Sequence, residues 1–68
     1  QLKLARRFNK GRGVKQDSIE SYKWYTLAFN QGLEEAFLER SEMKKSHGMT
    51  LDDIVEAKKR VRLFKPKL

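Results

Sequence analysis

The stretch Gly11–Tyr25, GRGVKQDSIESYKWY, decides the fold of this chain, because it joins a two-glycine turn to a helix start and then to a small-then-aromatic pattern. Gly11 and Gly13 are residues a chain uses where it must take positive φ or pass close to another backbone, and the β-branched Val14 can plug such a turn against a core. Asp17 reads as a helix N-cap. With Glu20 three positions on, it forms a box in which each side chain satisfies a backbone N–H orphaned by the helix start. Ser21, Trp24, Tyr25 and Ala28 then recur at i, i+3, i+4 and i+7, one face of a helix. A small residue one turn before a Trp-Tyr pair predicts a closely approaching neighbour, with Trp24 packed between the first two helices.

Working outward from this stretch, the spacing predicts a helix over about 2–9, with Leu4, Ala5 and Phe8 on one side and Lys3, Arg6 and Lys10 opposite. A second helix is predicted over about 18–31, stopped by Gly32 in a left-handed conformation. Tyr22 and Phe29 widen its apolar face, as for a helix with neighbours on two sides. A third runs over about 34–46 and stops at His47-Gly48. Thr50 and Asp53 form a second capping box, opening a fourth helix whose apolar face is Leu51, Ile54, Ala57, Val61 and Phe64, and Pro66 limits it. Its wet side is Lys58, Lys59, Arg60, Arg62, Lys65 and Lys67. The fold class is therefore all-α, about four helices.

The order of residues is more particular than periodicity, and it resembles the Sel-1-like repeat family. That pattern runs Leu-Gly, Tyr, Gly-x-Gly-Val, Asp, Ala, Trp-Tyr, Ala-Ala, Gly and Ala. Here Leu4-Ala5, Phe8, Gly11-Arg12-Gly13-Val14, Asp17, Ser21, Trp24-Tyr25, Ala28-Phe29, Gly32 and Ala36 stand at those offsets, from Leu2 to Ala36. Ala5, Ser21 and Phe29 are departures; the first two keep their positions small, and Phe29 is much larger than the Ala it replaces. After Ala36 the pattern fails, with Arg40-Ser41 at the next Leu-Gly. Met49-Thr50 and the helix after it resemble the amphipathic C-terminal cap of many such proteins.

The resemblance implies a helix-turn-helix solenoid in which residues 1–36 are one repeat and residues 37–68 are capping helices that cover the open end. It implies that the first helix lines a concave groove into which Lys3, Arg6 and Lys10 point. It also implies upstream repeats, a scaffold or adaptor role in protein–protein interaction, and a bacterial periplasmic or cytoplasmic setting. Gln1 is not an initiator Met, so the chain is expected to be a piece of a longer one, marginally stable alone.

Composition bounds the remaining classes. There is no Cys to staple the chain or bind metal through thiolate, and a net charge of +7 with 37% charged residues argues against a membrane span and for solubility. The charge is segregated: residues 1–16 hold six basic and no acidic residues, residues 17–42 six acidic and two basic, and residues 43–68 eight basic and three acidic. Such ends suit an acidic protein segment. The alternative reading is nucleic acid or an anionic surface, met by the basic ends and by Trp24, Tyr22 and Tyr25 as a stacking platform. His47 is the only His, reads as an exposed helix-end residue, and has no partner for a metal or nucleophilic site. Asp52-Asp53 and Glu34-Glu35 fall in first turns, where negative charge suits the helix dipole. The glycine turn lacks the Lys-Ser/Thr of a phosphate loop. No enzyme and no cofactor is indicated.

If the turn needs positive φ at Gly13, Gly13→Val lowers the melting temperature far more than Lys15→Val. Equal melting temperatures for the two variants would contradict that backbone requirement.

Overall fold

The computed structural model describes residues 2–10 and 15–64, which form helices α1 (Leu2–Asn9), α2 (Lys15–Asn30), α3 (Glu34–Ser46) and α4 (Leu51–Leu63), with no strand among them. Short polar and glycine signals end these helices. Gly32 (φ 97°) follows α2, and the N–H groups of Leu33 and Gly32 bond back to the carbonyls of Ala28 and Phe29. Gly48 (φ 61°) does the same for α3, with Met49 and Gly48 bonding to Lys44 and Lys45. Both ends are Schellman closures, which satisfy orphaned carbonyls and need a residue that takes positive φ without strain. Thr50 caps α4 in a reciprocal box: its hydroxyl accepts from the Asp53 N–H at 3.2 Å, and Asp53 accepts from the Thr50 N–H at 3.0 Å.

Helix α2 packs against each of the other three, and among the described residues no other pair of helices packs to a comparable extent. Arg6 of α1 meets Glu39 of α3, and His47 at the end of α3 meets Ser18 at the start of α2. Arg60 of α4 meets Glu20 of α2. Helices α1 and α3 therefore run one way and α2 and α4 the other. Small residues stand where backbones come closest: Ala5, Ser21, Ala28, Ala36 and Ala57 are all completely buried. Between them Ile19, Tyr22, Tyr25, Met43 and Ile54 fill the core. Ser21 also donates its hydroxyl to the Ala5 carbonyl at 2.8 Å, fastening α1 to α2 inside that core.

Several expectations are corrected. Helix α2 begins at Lys15, so Asp17 lies inside its first turn and is not the N-cap, and Glu20 is spent on Arg60 and Lys23 instead of a capping box. Trp24 is only partly buried and its ring meets Phe64 edge-on at 5.4 Å, so it closes the α2–α4 side. Leu51 is 77% exposed, because the buried arc of α4 centres on Ile54 and Ala57 and the first residue of the helix turns out of it. Leu4 and Phe29 are also exposed. Gly11, Gly13 and Val14, on which the turn reading rests, lie outside the described residues, as do Lys65, Pro66 and Lys67.

The burial difference between two apolar side chains sets a direct comparison. Met43→Ala is expected to cost about 2–5 kcal/mol of unfolding free energy as a core truncation. Leu51→Ala should stay within about 0.5 kcal/mol, as surface changes do. Urea unfolding of the two variants against the parent measures both.

Candidate interaction surface along α1 and α3

The side of the molecule formed by α1 and α3 is organised by one polar chain. Arg6 donates from Nε and Nη2 to the two carboxylate oxygens of Glu39 at 2.9 and 2.7 Å, the two-pronged geometry that a guanidinium offers a carboxylate. The hydroxyl of Tyr25, whose ring is buried, donates to Glu39 Oε1 at 3.2 Å and accepts from Asn9 Nδ2 at 3.4 Å. One chain of contacts thus ties α1, α2 and α3 together. The hydrogen bond from Arg6 holds the Glu39 carboxyl below its ordinary range, against a smaller opposing effect of burial. Burial, and then the charge of Glu39, pushes the Tyr25 phenol above its ordinary value.

A second pair fastens α4. Arg60 donates to Glu20 Oε1 at 2.7 Å, and Lys23 stands 3.1 Å from the other oxygen. Partial burial works to raise the Glu20 carboxyl, but hydrogen bonds from Lys23 and Arg60 outweigh it and the carboxyl is held low. Arg60 is therefore a tie between helices and not part of the wet side expected of α4, whereas Lys58, Lys59 and Arg62 are exposed.

Beyond the Arg6–Glu39 pair, an open groove of about 300 Å³ lies where α1 and α3 end, lined by Asn9, Lys10, Glu42, Met43, Ser46 and His47. Its lining is mostly polar, with Met43 the apolar side chain among these six, and it carries both signs of charge through Lys10 and Glu42. The Ser18 hydroxyl lies 2.7 Å from His47 Nδ1 beside this groove. His47 is half-buried and bonded, not the free helix-end residue its position beside Gly48 suggested. Among the described residues no cluster of His, Cys, Asp and Glu could hold a metal ion, and no helix is long and apolar enough to cross a membrane.

The three cations singled out from sequence separate in the structure. Lys10 lines the groove, Arg6 is joined to Glu39, and Lys3 is exposed on α1 away from the groove lining. Of the repeat-signature residues, Ala5, Ser21, Tyr25, Ala28 and Ala36 are in the core, Phe8 and Trp24 are half-buried, and Leu4 and Gly32 are exposed. The sequence reading did not single out Asn9, Glu39 or Glu42. Glu39 lies 33 positions from Arg6, beyond the reach of any helical spacing rule. Against known proteins, no family model, no curated protein and no solved structure matches this chain.

Because Glu20 and Glu39 have folded-state values below the ordinary 4.5, their contribution to stability is complete above that pH and is lost as the pH falls through the lowered values. The melting temperature should therefore drop on acidification below about pH 4.5. A Glu20→Gln/Glu39→Gln variant should start lower at neutral pH and show a flatter acid limb. An identical acid limb in both proteins would remove these two pairs as its cause.

Proposed function

We propose that this chain is a helix-pair repeat segment of the Sel-1-like kind that works as a protein–protein interaction scaffold, receiving an acidic segment of a partner along α1 and α3. The observation that carries this reading is the groove at the ends of those two helices, about 300 Å³, open, with a mostly polar lining that includes Lys10 beside Met43. Buried small residues at the repeat positions Ala5, Ser21, Ala28 and Ala36 support the solenoid part of the proposal, since stacked helix pairs need close backbone approach at such points. The internal pairing of Arg6 supports a division of labour. Its charge holds α3 in register beside α1, while the exposed Lys3 and Lys10 are left to attract an acidic chain.

The test uses acidic peptides selected from a display library on the 68-residue chain. Lys3→Glu/Lys10→Glu should weaken their binding at least roughly tenfold with the helical circular dichroism unchanged, since specificity needs pockets beside charges and neither residue is in the core. Arg6 is left intact so that a loss is not a folding effect. Single-stranded nucleic acid should bind weakly and lose that binding as salt rises. Tight, salt-resistant binding of RNA or DNA that depends on Lys58, Lys59 and Arg62 would overturn the scaffold reading.

A further inference from the structure

Arg6, Arg40 and Arg60 each reach a neighbouring helix, but only Arg6 and Arg60 end on a carboxylate. Arg40 has no ion-pair partner among the described residues; its Nη1 donates to Thr26 Oγ1 at 3.0 Å, and Thr26 is itself held by donating to the Tyr22 carbonyl at 2.9 Å. The guanidinium lies over aromatic rings, 4.9 Å from the centroid of Tyr22, 5.2 Å from Phe37 and 5.9 Å from Phe29. Phe29 and Phe37 touch each other at 5.4 Å and remain 39% and 44% exposed, with Leu33, 41% exposed, between them in sequence. A cation fixed by stacking and one hydrogen bond therefore stands beside an uncovered apolar shelf. It occupies the flank of α3 turned away from Glu39 and α1.

We propose that this cluster is a second docking site, for a peptide that presents a carboxylate next to a large apolar side chain. The remaining N–H groups of Arg40 take the carboxylate, and Phe29 and Phe37 take the apolar side chain. Charge complementarity selects this occupant: among the described residues the guanidinium has no carboxylate partner, and its hydrogen bond goes to the neutral Thr26 hydroxyl. Pre-organisation favours it, because a stacked and tethered guanidinium loses little further freedom on pairing. Aromatic and arginine side chains in one cluster are also the composition of residues that dominate binding energy at interfaces. Single-stranded nucleic acid is disfavoured, since it needs a track of cations along its phosphates, and this cluster offers the Arg40 guanidinium alone.

The probe is N-acetyl-L-phenylalanine, which carries a carboxylate beside an apolar side chain, titrated into the isotopically labelled chain and followed by NMR. Saturable shifts should appear at the Phe29 and Phe37 rings and the Arg40 side chain. The uncharged carboxamide of the same molecule should bind on the order of tenfold more weakly, having lost the charge-assisted pair. Arg40→Gln should abolish the response, and Arg40→Lys, which keeps the charge without the fork, should restore only part of it. The rest of each variant's spectrum reports that the fold is retained. Equal response to acid and amide, saturable shifts centred elsewhere, or no saturable shift at all would overturn the proposal. A tighter response at the same rings to a short single-stranded oligothymidylate would overturn it in favour of nucleic acid. None of these outcomes involves Lys3 or Lys10, so the result is separable from that for the α1–α3 groove.

Discussion

The close approach of α1 to α2 at Ala5 and Ser21 is the contact on which the other packing depends. Both residues are completely buried, and the Ser21 hydroxyl reaches the Ala5 carbonyl at 2.8 Å, a distance that larger side chains at the crossing would not allow. A serine here stays small and adds what alanine could not, a hydrogen bond that ties α2 to α1; its buried hydroxyl is thereby satisfied, where an unpaired polar group would cost about 1–3 kcal/mol. With α1 seated this way, the long side chain of Tyr25 can run under it to Asn9 and Glu39, and α3 acquires its register beside α1.

A chain this short buries a modest core, and the structure concentrates that core on one helix. Because α2 alone packs against all three neighbours, its faces divide the work. Ser21 meets α1, Tyr22 and Thr26 meet Arg40 of α3, and Glu20 and Trp24 meet Arg60 and Phe64 at the end of α4. The weakly amphipathic sequence of α2, with aromatic or small residues on most sides, is what a helix surrounded by others requires.

Helix existence and helix ends were legible in the sequence where the signal is local. Leu2–Asn9 follows from apolar spacing, whereas Glu34–Ser46 was bounded by its flanking stop signals; the closures at Gly32 and Gly48 and the Thr50–Asp53 box follow from residues within one turn of each other. Asp17 misled because an acidic residue suits both the N-cap and the first turn, and the sequence alone does not separate them. Leu51 misled because a residue at the very start of a helix lies at the edge of the apolar arc, where a small rotation exposes it. The candidate surface was legible only in part. Lys10 could be placed on a basic stripe, but the pairing of Arg6 with Glu39 and of Ser18 with His47 joins residues 33 and 29 positions apart, and no periodicity encodes such contacts.

The segregation of charge along the chain has a structural counterpart in those same distant pairs. Basic residues near the start and end of the sequence meet acidic residues of the middle: Arg6 takes Glu39, and Arg60 takes Glu20. Local pairs add to these, Lys23 with Glu20 and Arg60 with Glu56, but the ties between helices are the ones that join different segments. Such half-exposed pairs are individually worth little, roughly 0.2–1 kcal/mol, so their contribution is to register more than to stability. Once they are made, cations such as Lys3, Lys10, Lys58, Lys59 and Arg62 remain on the exposed surface, and Arg40, stacked and tethered between helices, has no ion-pair partner among the described residues. Its neighbours Phe29 and Phe37 are uncovered at the same place.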